Sequence, residues 1–209
     1  KKELLFMGEL NIKNLKFSFD KSKSLIACPS FCFEPGNIYA LVGPNGSGKA
    51  TFLKILLGLL KPTEGEVYGA ERETIGFVPD YNGLYDSLSV LENIKFRLSL
   101  YKMNYKNEKE KIQQMLTSYN LDGETNKLVK DLSLGMKKKV ALICALAVQP
   151  SVLILDEPTG GLDSDAQAEL AEMLTQFISP STMVICSTHD QTFLDSLPAC
   201  RVISFPLEV

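Results

Sequence analysis

The sequence predicts an α/β fold in which a mostly parallel β-sheet is covered by helices, preceded by an antiparallel β subdomain and interrupted by a helical insertion. Three observations support this fold class. Short apolar runs alternate with helical patterns in the carboxyl-terminal half, one apolar run leads directly into a glycine-rich loop, and another ends in two carboxylates. Parallel strands need long crossover connections, which are usually helices, so the alternation favours parallel pairing.

Length and composition fit one folded domain over 1–209. The 209 residues are 45% hydrophobic and 22% charged, as in ordinary globular proteins. The formal net charge is −3, and the lysine run at 137–139 is too short to create a basic surface. Nucleic acid is therefore not expected as a partner.

The cysteines and the hydrophobic runs bear on the cellular compartment. The five cysteines are odd in number and lack paired C-x-x-C spacing, which favours reduced thiols over disulfides. No run approaches the ~18 apolar residues of a membrane-spanning helix. The amino-terminal residues lack the pattern of a signal peptide. We expect a chain that does not itself cross a bilayer.

The amino-terminal third predicts strands around one helix. Alternating apolar residues in the first forty positions, separated by charged and Pro/Gly turns, predict short strands. Ile38–Val42 (IYALV) is a short apolar run typical of a buried strand. A helix is expected at 51–60, and two more strands are expected at 66–68 and at Ile75–Val78.

The segment 84–131 predicts helices. Ser89 and Glu92 form an S-x-x-E capping box, which typically begins a helix. One apolar stripe at helical spacing is formed by Ile112, Met115, Leu116 and Tyr119. Beyond this segment the sequence predicts helices at 136–148 and 164–178, and strands at 152–155, 183–186 and 201–205.

The loop GPNGSGKAT at 43–51 follows the Gly-x-x-x-x-Gly-Lys pattern of a phosphate-binding loop. It lies between a predicted strand and a predicted helix, where backbone N–H groups can surround phosphate oxygens and Lys49 can reach the β- and γ-phosphates. The pattern predicts a P-loop NTPase core of the RecA-like type. The predicted nucleotide-binding residues of the loop are Gly43, Pro44, Asn45, Gly46, Ser47, Gly48, Lys49, Ala50 and Thr51.

The run VLILDEP at 152–158 places Asp156 and Glu157 at the carboxyl end of a strand, where ligand sites form in open α/β sheets. An acidic pair in this position can also simply cap a helix. Because a phosphate-binding loop is present in the same chain, we interpret Asp156 as a Mg²⁺ ligand, directly or through water. Glu157 is interpreted as the base that activates the attacking water.

Three further motifs carry a family resemblance. LSLGM at 132–136 resembles the LSGGQ signature of ATP-binding cassette (ABC) proteins, with Leu134 and Met136 as variants. TGGLD at 159–163 resembles the D-loop of that family, and STHD with His189, the single histidine of the sequence, resembles its switch. Together with the phosphate-binding loop and the acidic strand, these motifs stand in the family's order over nearly the whole chain.

The resemblance implies ATP and Mg²⁺ as ligands, and a helical subdomain at about 81–135 inserted in the nucleotide-binding core. It also implies two ATP molecules held between two head-to-tail subunits, identical or related, with Ser133, Gly135 and Asp163 contributing to nucleotide binding. Ser133 and Gly135 begin a predicted helix, whose positive end can cap the γ-phosphate of ATP held by the partner.

The resemblance also implies roles for single side chains. His189 would contact the γ-phosphate and position the attacking water, and it joins Lys49 and Glu157 as a predicted catalytic residue. Phe19 falls where the family stacks an aromatic ring on adenine, and Phe17 is the neighbouring candidate.

Ala50 departs from the family pattern, which implies a hydroxyl on Mg²⁺ at this position and a glutamine ligand in the Q-loop. Asp80 stands at the glutamine position. A carboxylate is a hard oxygen ligand, so Asp80, or the Thr51 hydroxyl after a small shift, could hold the metal. The alternative is an eroded site that binds nucleotide and turns over poorly. Because the catalytic side chains are all present, we expect an active, slow ATP hydrolase.

A membrane partner follows from the same resemblance. The segment between Asp80 and Ser133 resembles the subdomain on which a transmembrane permease docks, which would hold the chain at the cytoplasmic face of the membrane. We expect the ATPase subunit of a bacterial ABC transporter and, from the LSxGM variant and the short length, an exporter of peptide or small-molecule cargo. A soluble ABC-type ATPase in a non-transport assembly and a hydrolysis-impaired, nucleotide-dependent clamp remain alternatives.

Overall fold

A computed structural model describes residues 9–19, 26–70, 74–197 and 199–207. Within these ranges the chain forms nine β-strands, six α-helices and two short 3₁₀ turns. The strands are β1 (Leu10–Phe17), β2 (Ile26–Cys28), β3 (Phe31–Phe33), β4 (Ile38–Val42), β5 (Glu64–Tyr68), β6 (Ile75–Val78), β7 (Val152–Asp156), β8 (Met183–Thr188) and β9 (Arg201–Ser204). The helices are α1 (Lys49–Leu56), α2 (Val90–Leu100), α3 (Tyr105–Ser118), α4 (Leu134–Leu146), α5 (Ser164–Phe177) and α6 (Gln191–Ser196).

Five strands form a parallel sheet in the order β6-β7-β8-β4-β9. The predicted α/β fold with a parallel sheet is therefore confirmed. The carboxyl ends of parallel strands lie at the same edge of a sheet. As a result, the loops that follow β6, β7, β8 and β4 lie side by side there, although they are far apart in the sequence.

A second sheet is antiparallel and is built around β1, which pairs with β2, β3 and β5. The expected amino-terminal antiparallel subdomain is confirmed. Strand β5 begins at Glu64, two residues before the predicted start, because its pairing with β1 continues as far as the register pair of Lys16 and Glu64.

The parallel sheet is covered on both faces, and its residues alternate between two cores. Leu153 and Leu155 of β7 pack with α2 to α6 in one core. Val152 and Ile154 pack in the other core, with α1 and the antiparallel sheet. This alternation follows from the period of two along a strand. Because both faces are buried, the strand reads as one continuous apolar run.

The helices differ from the sequence prediction mainly at their ends. Helix α1 begins at Lys49, two residues early, because Gly48 turns the chain with a φ of 101°. Helix α4 also begins two residues early, at Leu134, because the Ser133 hydroxyl accepts a hydrogen bond from the N–H of Met136 at 3.2 Å. Both differences place the glycine-rich loop and the signature-like segment directly at a helix amino terminus.

The segment 84–131 forms two α-helices and both 3₁₀ turns. The capping box at α2 is confirmed: the Ser89 N–H donates to Glu92 at 2.8 Å, and the Glu92 N–H donates to the Ser89 hydroxyl at 3.2 Å. The short helix α6 was not predicted. Asp190 caps it, and its buried Phe193 holds it against the core.

The described residues include no helix of sufficient length and apolar character to span a bilayer.

Candidate functional site

A cavity of about 430 Å³ lies at the edge where the parallel strands end. It is lined by Phe19, Asn45, Gly46, Ser47, Gly48, Lys49, Ala50, Thr51, Asp80, Asp156 and Glu157. All of these were predicted as site residues. They come from four separate parts of the chain, and the order of β4, β7 and β6 in the sheet brings three of those parts together.

The glycine-rich loop has a backbone that larger residues could not adopt. Gly48 lies in the left-handed region, where a side chain is strained. A Cβ atom on Gly43 would lie 2.5 Å from the carbonyl oxygen of Phe205, so no side chain fits there. The Ser47 hydroxyl is buried and lacks a hydrogen-bond partner among the described residues. A buried polar atom of this kind calls for a ligand or water.

Lys49 is 6% exposed, and its ammonium group lies inside the loop. The ammonium donates hydrogen bonds to the carbonyl oxygens of Gly43 at 2.7 Å and Pro44 at 3.2 Å. It also lies 3.7 Å from a carboxylate oxygen of Glu157. The loop therefore holds a nearly buried positive charge, which suits an anionic ligand.

Asp156 ends β7, Glu157 follows it, and both are hydrogen-bonded to Ser187 of β8. The Ser187 hydroxyl donates to Asp156 Oδ1 at 2.5 Å and accepts from the Glu157 N–H at 3.0 Å. Burial raises the pKa of Asp156, and the hydrogen bond from Ser187 opposes that shift. Glu157 has a φ of 45°, in the left-handed region that is unfavourable for a side chain.

His189 follows β8 and is 61% exposed, and its Nδ1 lies 3.0 Å from Oε2 of Glu157. The other carboxylate oxygen faces Lys49. Glu157 therefore lies between an imidazole and an ammonium. A carboxylate in this arrangement can accept a proton while both neighbours fix its orientation.

Asp80 lies in the loop after β6 and is exposed, and its Oδ1 accepts the N–H of Tyr81 at 2.7 Å. Ala50 and Thr51 line the same cavity from the start of α1. No cluster of three or more His, Cys, Asp or Glu side chains with metal-binding geometry occurs in the described ranges. Asp80 and Asp156 both line the cavity, and two carboxylates with water or substrate oxygens are a ligand set that suits Mg²⁺.

The two candidate aromatic residues differ in accessibility. Phe17 is buried at 6% exposure, whereas Phe19 is 74% exposed and lines the cavity. Their rings meet edge to face with centroids 4.9 Å apart. Phe17 belongs to the core, and Phe19 presents the accessible ring.

Five predicted binding residues do not line the cavity: Gly43 and Pro44 at the start of the glycine-rich loop, and Ser133, Gly135 and Asp163 on other elements. Ser133 is exposed and caps α4, and Gly135 is in the first turn of that helix. Asp163 is exposed and caps α5, where it accepts the N–H of Ala166 at 2.9 Å. The structure does not bring these last three residues to the cavity of their own chain.

Two residues that hold the site were missed by the sequence prediction. One is Ser187, whose polar side chain at the end of an apolar strand was an available signal. The other is Lys138, which is 4% exposed and donates to the carbonyl oxygens of Asp80 at 2.9 Å and Glu157 at 3.4 Å. Burial lowers the pKa of Lys138, and the nearby carboxylates oppose that shift. In the sequence it was considered only as part of the lysine run at 137–139, which is too short to create a basic surface.

The ABC transporter family matches the chain over residues 27–160. Among curated relatives, the probable multidrug ABC transporter ATP-binding protein YbhF of Escherichia coli is 32% identical over 82% of this chain. The lantibiotic transport ATP-binding protein SrtF of Streptococcus pyogenes is 34% identical over 86% of this chain. The sulfate/thiosulfate import ATP-binding protein CysA of Synechocystis is 36% identical over 75% of this chain.

These relatives differ in length. The matched region covers 31% of YbhF and 47% of CysA, but 80% of SrtF. The chain therefore spans less than half of the first two proteins and most of the third.

Solved structures are similar over nearly the whole chain. An ATP-binding subunit of an ABC transporter has a TM-score of 0.82 at 25% identity, covering 94% of this chain and 85% of that one. The ATP-binding cassette MJ0796, solved as a dimer in a post-hydrolysis state with ADP and Pi, has a TM-score of 0.79 at 26% identity, covering 94% of both chains. The chain belongs to the ABC transporter family.

Proposed function

We propose that the chain binds ATP with Mg²⁺, hydrolyses it, and thereby powers transport through a transmembrane permease. The observation that carries this proposal is the position of Glu157. Its carboxylate oxygens lie 3.7 Å from the ammonium of Lys49 and 3.0 Å from Nδ1 of His189, beside a cavity lined by the glycine-rich loop. A base, a cation and an imidazole at one cavity suit hydrolysis of a phosphoanhydride.

The glycine-rich loop and Phe19 are proposed to hold the nucleotide. The loop ends at the amino terminus of α1, whose free N–H groups favour phosphate. The buried hydroxyl of Ser47 can bond a phosphate oxygen, since it has no other partner among the described residues. Phe19 offers an exposed ring on which a base can stack, and such contacts are worth about 1–3 kcal/mol.

Asp156 and Asp80 are proposed to hold Mg²⁺, with the hydroxyl of Thr51 lining the same cavity. When bound, the ion neutralises negative charge on the β- and γ-phosphate oxygens. Hard carboxylate oxygens fit this ion. Ser187 fixes one oxygen of Asp156 and so orients the carboxylate. Asp80 is proposed to compensate for the hydroxyl that Ala50 lacks.

Glu157 is proposed to take the proton of the attacking water. The contact of His189 with Oε2 restricts rotation of the carboxylate, and the Lys49 ammonium lies beside Oε1. We assign His189 the role of holding Glu157 and the water in line with the phosphate. Lys49 balances the negative charge that builds up on the phosphate oxygens.

A second subunit, identical or related, is proposed to complete each site. Ser133, Gly135 and Asp163 lie at the amino-terminal ends of α4 and α5 and are separate from the cavity of their own chain. The positive end of α4 can cap a phosphate held by the partner. Support for this arrangement comes from the dimeric state in which the similar cassette MJ0796 was solved.

The helical segment at about 81–135 is proposed as a subdomain that receives the permease. A groove of about 210 Å³ runs between the loop after β6 and helix α2. Its exposed aromatic side chains are Tyr81, Tyr85 and Phe96. Exposed aromatic clusters of this kind are typical of protein interfaces. Docking there would place the chain at the cytoplasmic face of a membrane.

Export of peptide or small-molecule cargo is proposed as the direction of transport. YbhF is named for multidrug transport and SrtF for lantibiotic transport, whereas CysA is named for import. We expect inverted membrane vesicles that contain the chain and its permease to accumulate labelled cargo when ATP is added. Release of preloaded cargo under the same conditions would reverse the proposed direction.

Phosphate release by the wild type and by Glu157→Gln tests the hydrolysis proposal. We expect phosphate release by the variant to be slower than that of the wild type by a factor of about 100 or more, because general base catalysis contributes on that scale. ATP binding should be retained. Glu172→Gln on the exposed side of α5 is the matched control and should behave like the wild type.

A nucleotide-dependent clamp is the second candidate function, because Ala50 brings no hydroxyl to the cavity. The same assay separates the two. If the wild type releases phosphate no faster than Glu157→Gln while it still binds ATP, the chain acts by binding alone. Co-purification with a multi-span membrane protein supports a transport role, and purification only with soluble partners supports a non-transport ATPase assembly.

A further inference from the structure

Lys138 differs from the two lysines beside it. Lys137 and Lys139 make ion pairs at the surface with Asp86 at 3.6 Å and Glu169 at 2.5 Å. The side chain of Lys138 instead points into the protein, and the residue is 4% exposed. Burying an ammonium costs several kcal/mol unless other groups compensate. An apolar residue would fill the same helix position at a lower cost, so the contacts of the ammonium require an explanation.

The ammonium of Lys138 donates hydrogen bonds to main-chain carbonyl oxygens in two loops that line the proposed site. It donates to the carbonyl oxygen of Asp80 at 2.9 Å and to that of Glu157 at 3.4 Å. These two residues follow the neighbouring strands β6 and β7. Because Lys138 uses the carbonyl groups, the carboxylates of both residues stay available at the cavity that they line. One side chain of α4 thus joins the two loops.

The backbone of Glu157 needs such support. Its φ of 45° costs about 1–2 kcal/mol for a residue with a side chain. Conformations of this kind persist only where the surroundings enforce them. Ser187 holds the N–H of Glu157 at 3.0 Å, and Lys138 holds the carbonyl group from the other side. The carbonyl oxygen of Glu157 also accepts the N–H of Gly160 at 3.3 Å, and the N–H of Glu157 also donates to the carbonyl oxygen of Ser187 at 3.2 Å. Loss of the Lys138 contact would therefore remove one of two restraints on the carbonyl group and loosen the backbone that aims the carboxylate.

We propose that Lys138 is a positioning residue for ATP hydrolysis, which holds the main chain of Asp80 and Glu157 so that both carboxylates face the bound nucleotide and its metal ion. This inference rests on the proposed hydrolytic function. Lys138 does not touch the substrate in this role. It acts through the two residues whose carbonyl groups it binds.

The test compares steady-state ATP hydrolysis by the full chain and by Lys138→Met, which keeps the length of the side chain and removes its donors. We expect kcat to fall about 10- to 100-fold, because small displacements of catalytic groups have effects of this size. The KM for ATP should change less than about three-fold. Lys137→Met is the matched control, since it removes a surface lysine from the same helix, and it should match the wild type.

Lys138→Gln extends the test, because its amide can still donate to one carbonyl group. We expect its kcat to lie between those of the wild type and Lys138→Met, with an unchanged KM. If Lys138→Met does not fold, Lys138→Gln is compared with the wild type instead. A lower kcat with an unchanged KM then supports the positioning role. Wild-type kcat in the folded variants, or a parallel loss of kcat, ATP affinity and thermal stability, overturns the positioning role. A wild type that binds ATP without hydrolysing it refutes the proposed function instead.

Discussion

Asp156 and Ser187 are register partners in the neighbouring strands β7 and β8, and the Ser187 hydroxyl donates to Asp156 Oδ1 at 2.5 Å. The same hydroxyl accepts the N–H of Glu157. One side chain therefore holds the Asp156 carboxylate and the main chain of Glu157. Because Ser187 lies in β8 two residues before His189, it also ties this pair to the strand that leads to the imidazole.

Ser187→Ala should weaken both folding and metal binding. Hydrogen bonds to charged groups contribute about 1.5–3 kcal/mol, so we expect a loss of this order in the free energy of unfolding. The Mg²⁺ concentration for half-maximal ATP hydrolysis should rise, since one oxygen of Asp156 is no longer held. Ser151→Ala, at the opposite end of β7, is the control and should leave the Mg²⁺ requirement unchanged. An unchanged Mg²⁺ requirement in Ser187→Ala contradicts the prediction.

His189→Ala should lower kcat about 10- to 100-fold and leave ATP affinity nearly unchanged, because the imidazole contacts Glu157 on the exposed side of the site. Residues that act as a unit show non-additive losses. The rate of phosphate release by the double variant, which combines His189→Ala and Glu157→Gln, should therefore be close to that of Glu157→Gln alone. If the fold-losses in rate of the two single variants multiply in the double variant, the two side chains act independently.

Asp80→Asn should weaken binding of Mg²⁺–ATP far more than binding of metal-free ATP, because the amide is a poorer ligand for a hard cation. Titration of the nucleotide with and without Mg²⁺ measures both affinities. Asp86→Asn, in the same loop region but paired with Lys137, is the control. Equal weakening of both forms in Asp80→Asn would rule out a metal-binding role.

Ala50→Ser supplies the hydroxyl that the family pattern contains at this position. The exposed site on the first turn of α1 accepts the larger side chain at a small cost in helix propensity, below about 0.7 kcal/mol. We expect the affinity for Mg²⁺–ATP to increase. The increase should be larger in the Asp80→Asn background, where the compensating carboxylate is absent. No gain in either background would argue against the proposed compensation.

Phe19→Ala and Phe17→Ala should separate binding from folding. Loss of the exposed Phe19 ring should weaken ATP binding by about 1–3 kcal/mol, with little effect on thermal stability. Loss of the buried Phe17 ring should cost about 3–5 kcal/mol of stability. Calorimetric binding and thermal unfolding measure the two effects. The reverse pattern would assign base stacking to Phe17.

The cysteines should differ in reactivity. Burial raises the pKa of Cys144 to about 12, so at about pH 8 roughly one thiol in ten thousand is ionised. Burial raises the pKa of Cys186 as well. The half-buried Cys32 and Cys200 should therefore react first with a thiol reagent in the native protein. All five should react in denaturant. Rapid labelling of Cys144 in the folded protein would contradict this prediction.

Much of the candidate site was predictable because its motifs are local. The glycine-rich loop needs only a strand before it and a helix after it, and Asp156 and Glu157 need only the end of a buried strand. Each requirement is visible as a short pattern. Helix ends were less accurate, since the start of α1 depends on the left-handed turn at Gly48 and that of α4 on the cap from Ser133.

The α/β class, the family and the expected chemical character of the site could all be predicted from the amino-acid sequence, because they follow from strand–helix alternation and from motifs that are contiguous in the chain. Which of several neighbouring residues lie at the site depends on the tertiary structure. Lys138 is buried and its neighbours are not, and Ser187 bonds Asp156 in the adjacent strand. The physical reason is that burial and hydrogen-bond partners depend on pairing between distant segments, which no local pattern records.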